Sequence, residues 1–237
     1  MIAASTVRLP RAHERETPRG AITSAPASGL QVRQALGDPR FWGINVSWLL
    51  LGGTIFTFSV HAVPFARDQG VSLAVASFAL TAYGLGSVAG RVATGILSDR
   101  FGTLVTIRAG YVIEILALIA LASAPGPAVF VPVMVLFGIG AASTDNAVVR
   151  VIPDLFGLRA IGGIMGLLTL GWRTGAAVGP AAAGFLYDVV GSYRVPFGAA
   201  PVVVVVSWLL FALATRGWRR DDAAPRPSAS ERSRDER

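Results

Sequence analysis

Four charged residues, Arg91, Glu114, Asp145 and Arg173, stand inside strongly apolar stretches of the chain. A charge placed in hydrocarbon costs roughly 2.5–3.5 kcal/mol even on lenient insertion scales, so each calls for a partner or a function. A guanidinium offers a planar fork that gives a carboxylate two parallel hydrogen bonds. Arg91 lies about 12 Å along a helix from Asp99, at about 1.5 Å per residue. It reads either as an anion-binding group or as a side chain paired structurally at the membrane edge. Arg173 lies about 20 Å beyond Ala160 on the same measure, too deep to reach headgroups easily, with Thr169, Trp172 and Thr174 beside it. It reads as an anion ligand or as half of an interhelical salt bridge. Glu114 sits mid-span, as a protonatable coupling group, a buried partner of an arginine, or a carboxyl kept neutral in place. Asp145, between Thr144 and Asn146, reads as a gate or helix-end contact in preference to a ligand. His61 carries an imidazole, the group suited to proton exchange near neutrality, although a lone histidine is more often hydrogen-bonded structure. Tyr83, Asn45 and Trp172 can wall a pocket; packing against core or lipid is an equal reading for each.

Other chemistries lack their residues. The chain has no cysteine and two histidines, which excludes disulfides and Cys-based zinc sites; no metal or cofactor is expected. Serine-protease chemistry within a membrane needs a histidine base close to a serine in the bundle, and His61 is the only histidine in an apolar run, near its end. No paired-aspartate arrangement is present. The expectation is a protein that is not an enzyme.

The elements that must position these groups follow from composition. Of 237 residues 53% are hydrophobic, and the mean hydropathy is +0.58. Charged residues make up 15%, against about 25% in a soluble domain. Six apolar runs, at 41–62, 73–97, 104–123, 128–149, 160–183 and 195–215, each approach or exceed the length of about 20 residues that a bilayer-spanning helix needs. Short breaks with turn chemistry separate them: Arg67–Gly70, Ser98–Gly102, Ala124–Pro127, Pro153–Gly157 and Asp188–Ser192. Residues 1–40, interrupted by Pro10, Pro18, Pro26 and Pro39, read as a basic cytoplasmic tail or loop with a short helix near Gln31–Leu36. Residues 216–237, rich in Arg, acidic residues, Pro and Ser, read as a disordered cytoplasmic tail.

The net charge of +7 comes from 21 arginines and no lysine. With six spans both tails lie on one side, and that side collects 18 arginines against two on the other. The positive-inside rule then places both termini in the cytoplasm of a multi-pass protein of the cell membrane. The basic character is topology, with added attraction to anionic lipid; nucleic-acid binding is not expected.

The chain also contains an internal repeat. Residues 90–102, GRVATGILSDRFG, match residues 179–191, GPAAAGFLYDVVG, at six of 13 positions. One copy ends the second span and the other the fifth. An offset of three helices inverts the second copy in the membrane, the design of secondary transporters. The expected fold is all-α, six transmembrane helices built as two inverted three-helix repeats.

The string Gly95-Ile96-Leu97-Ser98-Asp99-Arg100-Phe101-Gly102 resembles the signature loop of the major facilitator superfamily. HAVPFARDQGVS from His61, AGRVATGILSDRFG from Ala89 and the run from Asp154 to Phe197 are similar to its monocarboxylate and oxalate–formate branch. The resemblance covers residues 38 to about 216. It implies the second six-helix half of a twelve-helix fold, with the N-terminal segment as the loop that joins the halves. It further implies transport of small organic anions, monocarboxylate or dicarboxylate, by alternating access, with substrate bound at Arg91 and a second cation at or beside Arg173. Asp99 and Arg100 would hold one access state, with Asp188 as the repeat counterpart of Asp99. Animal members carry an acid one turn before the arginine, where this chain has Ser87, so proton coupling through that pair is not available. A six-helix half needs a complement: a separate second half or, less favoured because four arginines would crowd one cavity, a homodimer. The other reading is a truncated or non-transporting membrane protein that acts through a partner.

Overall fold

The computed structural model describes residues 28–123 and 126–216. Within them the chain forms a short helix α1 (Val32–Gly37) and six long ones: α2 (Pro39–Asp68), α3 (Leu73–Phe101), α4 (Thr103–Ala122), α5 (Pro127–Phe156), α6 (Ile161–Val190) and α7 (Arg194–Ala214). The expected short helix is α1. Calls on residues 1–27 and on the tail beyond 216 fall outside the described residues. Ser28–Leu30, within the segment read as a tail, pair with the α5–α6 turn through Leu30 N–H to the Phe156 carbonyl (2.8 Å) and Leu158 N–H to the Ser28 carbonyl (3.0 Å).

The helix ends follow local chemistry. Asp38 caps α2 by accepting from the Arg40 amide at 2.8 Å, with Pro39 in the first turn. Gly191 ends α6 in the left-handed conformation, φ 70°. Five of the six long helices, all but α6, are long and apolar enough to cross a membrane. α6 has the length, 30 residues, but its seven glycines, Trp172 and Arg173 lower its hydropathy. Leu85, Leu116, Leu136, Val178, Val202 and Val60, one or more from each long helix, leave about half or more of their surface uncovered. Such a continuous apolar exterior suits lipid, not water.

The packing carries the repeat. α3 packs on α5 as α6 packs on α2; α4 packs on α5 as α7 packs on α2; α4 and α7 meet each other. Exchanging α2–α3–α4 for α5–α6–α7 therefore maps the bundle's packing onto itself. The register is just as regular. Gly86 and Gly90 of α3 face the backbone of Val135 and Ile139 on α5; Gly175 and Gly179 of α6, 89 residues later, face Leu49 and Gly53 on α2, 86 residues before those partners. A Cβ at Gly90 would stand 2.6 Å from the Ile139 carbonyl oxygen, and one at Gly179 2.6 Å from the Gly53 Cα. These are small-xxx-small contacts that let helix backbones touch in lipid.

Only α4 and α7, the third helix of each repeat, are near 20 residues long. They lie outside the four longer helices. Phe58 joins the interior of the bundle, 4.9 Å between ring centroids from Phe137 and 4.2 Å from Phe197. Ser47, Tyr111 and Ser207 form a buried hydroxyl triad across α2, α4 and α7, at 2.9–3.2 Å.

Candidate functional site: a four-helix cavity on the repeat axis

A cavity of about 240 Å³ opens where α2, α3, α5 and α6 converge. α2 supplies Ile55, Phe56 and Ser59; α3 supplies Tyr83, Ser87 and Arg91; α5 supplies Ala141, Ala142 and Asp145; α6 supplies Trp172. At the register offsets of the two repeats, Ile55 is equivalent to Ala141, Phe56 to Ala142, Ser59 to Asp145 and Tyr83 to Trp172. The lining is thus a set of repeat-related pairs, so the cavity straddles the pseudo-twofold axis. Inverted-repeat transporters bind their substrates at such a repeat interface.

The cavity's charge breaks that symmetry. Arg91 has Pro180 as its counterpart, and Asp145 has Ser59. Arg91 lies 10 residues before the end of α3 and Asp145 11 before the end of α5, about 15 Å and 16 Å from the ends of two helices that pack side by side. Both side chains line the cavity, and no oxygen–nitrogen contact within 4.0 Å joins them; the one ion pair among the described residues lies elsewhere. Asp145, expected as a gate or helix-end contact, is a cavity residue.

Tyr83 and Trp172 are the aromatic walls. Tyr83 stacks on Phe137 at 5.4 Å, and Trp172 meets Phe56 edge-on at 5.3 Å. The Trp172 indole N–H is buried with no protein partner. Arg173 is exposed and lines no part of this cavity. Its guanidinium carbon lies 5.3 Å from the Trp172 ring centre, a cation–π contact. Asn45 is away from the cavity too: its amide donates to the Leu167 carbonyl at 3.1 Å and lies against Gly171, clasping α2 to α6.

Glu114 is fully buried between α4 and α5. One carboxylate oxygen accepts from the Thr144 hydroxyl at 3.0 Å; the other has no partner. Gly140 makes room for it, since a Cβ there would lie 2.6 Å from the Glu114 backbone nitrogen. His61 ties three elements together, with Nε2 3.0 Å from the Pro180 carbonyl oxygen and Nδ1 3.0 Å from the Tyr193 hydroxyl. The carbonyl can only accept, so Nε2 donates to it, while the Tyr193 hydroxyl can either donate to Nδ1 or accept from it.

At the end of α3, Asp99 pairs with Arg150 of α5 at 3.6 Å. Arg100 is exposed. Asp188, the counterpart of Asp99, is exposed and makes no ion pair among the described residues. Sequence reasoning counted Arg150 only as a loop charge.

A multi-pass helical bundle with an internal three-helix repeat and a cavity on its axis has the build of half a secondary transporter. The family model described as Major Facilitator Superfamily matches residues 44–236, and the chain belongs to that superfamily. It is 30% identical over 179 residues to monocarboxylate transporter 13 of Bos taurus, covering 73% of this chain and 41% of that protein. It is 26% identical over 149 residues to the uncharacterized MFS-type transporter YhjX of Escherichia coli K12, covering 60% and 36%. It is 24% identical over 201 residues to monocarboxylate transporter 2 of Rattus norvegicus, covering 79% and 40%. The chain spans about two-fifths of the length of these relatives.

Proposed function

We propose that this chain is one half of a transporter that carries small organic anions across the cell membrane by alternating access, with Arg91 as the carboxylate ligand. The observation that carries this reading is a guanidinium without an ion-pair partner, lining a cavity on the repeat axis of a major facilitator bundle. A free guanidinium in a site of low dielectric binds a carboxylate through paired hydrogen bonds. The names of two relatives, both monocarboxylate transporters, agree with that substrate class.

A second six-helix half completes the transporter. Arg91 and Arg173 both have exposed side chains, and a charge facing hydrocarbon is expensive. A complementary half would cover them, and rocking of one half against the other gives alternating access. Both termini are placed on the cytoplasmic side. Because the chain has no cysteine, single cysteines at Ser123 and Ser192 should label from outside the cell.

The test is uptake of labelled oxalate, formate, lactate and pyruvate into proteoliposomes, with the chain alone and with a co-expressed second half. Uptake should require the second half and fall with Arg91→Ala. Unchanged uptake in Arg91→Ala would remove the arginine from the mechanism, and robust exchange by the chain alone would remove the need for a partner.

A further inference from the structure

The cavity's scaffold is duplicated but its charge is not. Four lining pairs are repeat-related in position, and the two charged positions, Arg91 and Asp145, have the uncharged Pro180 and Ser59 as their counterparts. A serine at position 145 would have preserved the pairing. In its place stands a carboxyl group at nearly the same depth as Arg91, on a neighbouring helix, lining the same cavity. The two groups line the cavity without an ion-pair contact within 4.0 Å.

A carboxylate bound at Arg91 leaves Asp145 facing a second anion. Like charges in a low-dielectric cavity repel strongly, so Asp145 needs a positive partner of its own. Among the described residues the cavity lining offers none beyond Arg91: Arg173 does not line the cavity and sits against Trp172. The remaining lining is three aromatic rings, Phe56, Tyr83 and Trp172, the aliphatic Ile55, Ala141 and Ala142, and the hydroxyls of Ser59 and Ser87. Aromatic faces attract cations, and rings beside an acid make a setting for an ammonium group.

We infer that the cavity accepts a compact zwitterion, with its carboxylate at Arg91 and its ammonium group at Asp145 among the aromatic rings, and that Asp145 sets this specificity. The inference rests on the carboxylate reading of Arg91 and narrows it. Such a ligand matches both charges, whereas a simple monocarboxylate matches one.

The test is equilibrium binding to the full chain in lipid nanodiscs, using three pairs of equal length that exchange an ammonium for a methyl group. They are β-alanine against butyrate, γ-aminobutyrate against valerate, and 5-aminovalerate against hexanoate. The series covers the unknown spacing of the two charges. In at least one pair the amino acid should bind about tenfold more tightly. Asp145→Asn should abolish that preference without weakening the alkanoate. Asp145→Ser, which restores the residue of the equivalent position, should do the same and guards against a folding defect in one variant. Arg91→Gln should weaken both members of the pair.

The proposal is overturned if no pair shows a preference, or if the preference survives Asp145→Asn. It is also overturned if alkanoate binding tightens as pH falls in the parent but not in Asp145→Asn, because a proton then serves as the positive partner of the acid. Those outcomes leave the carboxylate reading of Arg91 standing. Absence of binding by every amino acid and alkanoate, and by lactate and oxalate, overturns both readings together.

Discussion

Asp99 and Arg150 meet at 3.6 Å where the ends of α3 and α5 come together, and the equivalent positions in the other repeat hold Asp188 and Pro64. One end of the bundle is therefore bridged by an ion pair, and among the described residues its repeat counterpart is not. Both side chains are substantially exposed, 45% for Arg150 and 78% for Asp99, and exposed ion pairs contribute from nothing to about 1 kcal/mol. The pair should therefore act by biasing one conformation and not by holding the fold. Asp99→Asn and Arg150→Gln should each leave the thermal midpoint in detergent nearly unchanged. Each should speed alkylation of a cysteine placed at Ala142 by a reagent added from the α3–α5 end, and the exchanged pair Asp99→Arg with Arg150→Asp should slow it again. Equal labelling rates in all four proteins would show that the pair latches nothing.

The glycines at the helix crossings should fail in matched pairs. Gly86 lies against the Val135 backbone and Gly175 against that of Leu49, and neither site has a flexible side chain that could move aside. Gly86→Val and Gly175→Val should each destabilise the bundle by about 1–3 kcal/mol or more, the range for forced overpacking. Gly84→Ala should be tolerated, because nothing lies within 4 Å of its added carbon. Thermal unfolding in one detergent compares them. A tolerated Gly175→Val would show that the α2–α6 contact is looser than its repeat counterpart.

The same register explains how much was legible in the sequence. Apolar runs gave the six helices, and the match of residues 90–102 with 179–191 gave the α3–α6 relation, since both are local patterns. The α2–α5 relation was not visible, because equivalent positions there share neither size nor residue type: Ile55 is equivalent to Ala141, and Phe56 to Ala142. That hidden offset is what assigns Asp145 to the cavity. Distance from a helix end, the measure available from sequence, fixes depth but not the face of the helix. For the same reason Asn45 and Arg173 were grouped with the cavity, although one clasps α2 to α6 and the other sits against Trp172. The resemblance to carboxylate carriers did select Arg91, which lines the cavity.

Glu114 should behave as a neutral group. It is buried beside Thr144 with no cation in contact and one oxygen unpartnered, and a buried unpaired carboxylate is far more costly than a neutral acid. Glutamine has nearly the same shape, and its amide oxygen can still accept from Thr144. Glu114→Gln should hold or raise the thermal midpoint, and Glu114→Leu should cost no more than about 1 kcal/mol, because the Thr144 hydroxyl keeps the Gly140 and Ala141 carbonyls as acceptors. If Glu114→Gln also leaves the pH profile of uptake unchanged, the carboxyl is structural. A profile flattened by that substitution would make Glu114 a proton carrier despite its distance from the cavity lining.

His61 should prove to be a structural clasp. Its Nε2 donates to the Pro180 carbonyl and its Nδ1 shares a hydrogen bond with the Tyr193 hydroxyl, so both nitrogens are committed within the protein. Tyr193 in turn stacks on Tyr187 at 4.2 Å between centroids, which carries the clasp from α2 through α6 to the start of α7. A group that shuttles protons needs a free nitrogen and a path, and this geometry offers neither to a ligand in the cavity. Each neutral hydrogen bond contributes about 0.5–1.5 kcal/mol. His61→Phe and Tyr193→Phe should each cost stability on that scale, and the double variant should cost less than the two separately, because both remove the same contact. His61→Gln can keep a donor toward Pro180 and should recover part of the loss. The pH profile of carboxylate uptake should be the same in the parent and in His61→Gln; a shifted profile, with stability intact, would reassign His61 from clasp to proton coupling.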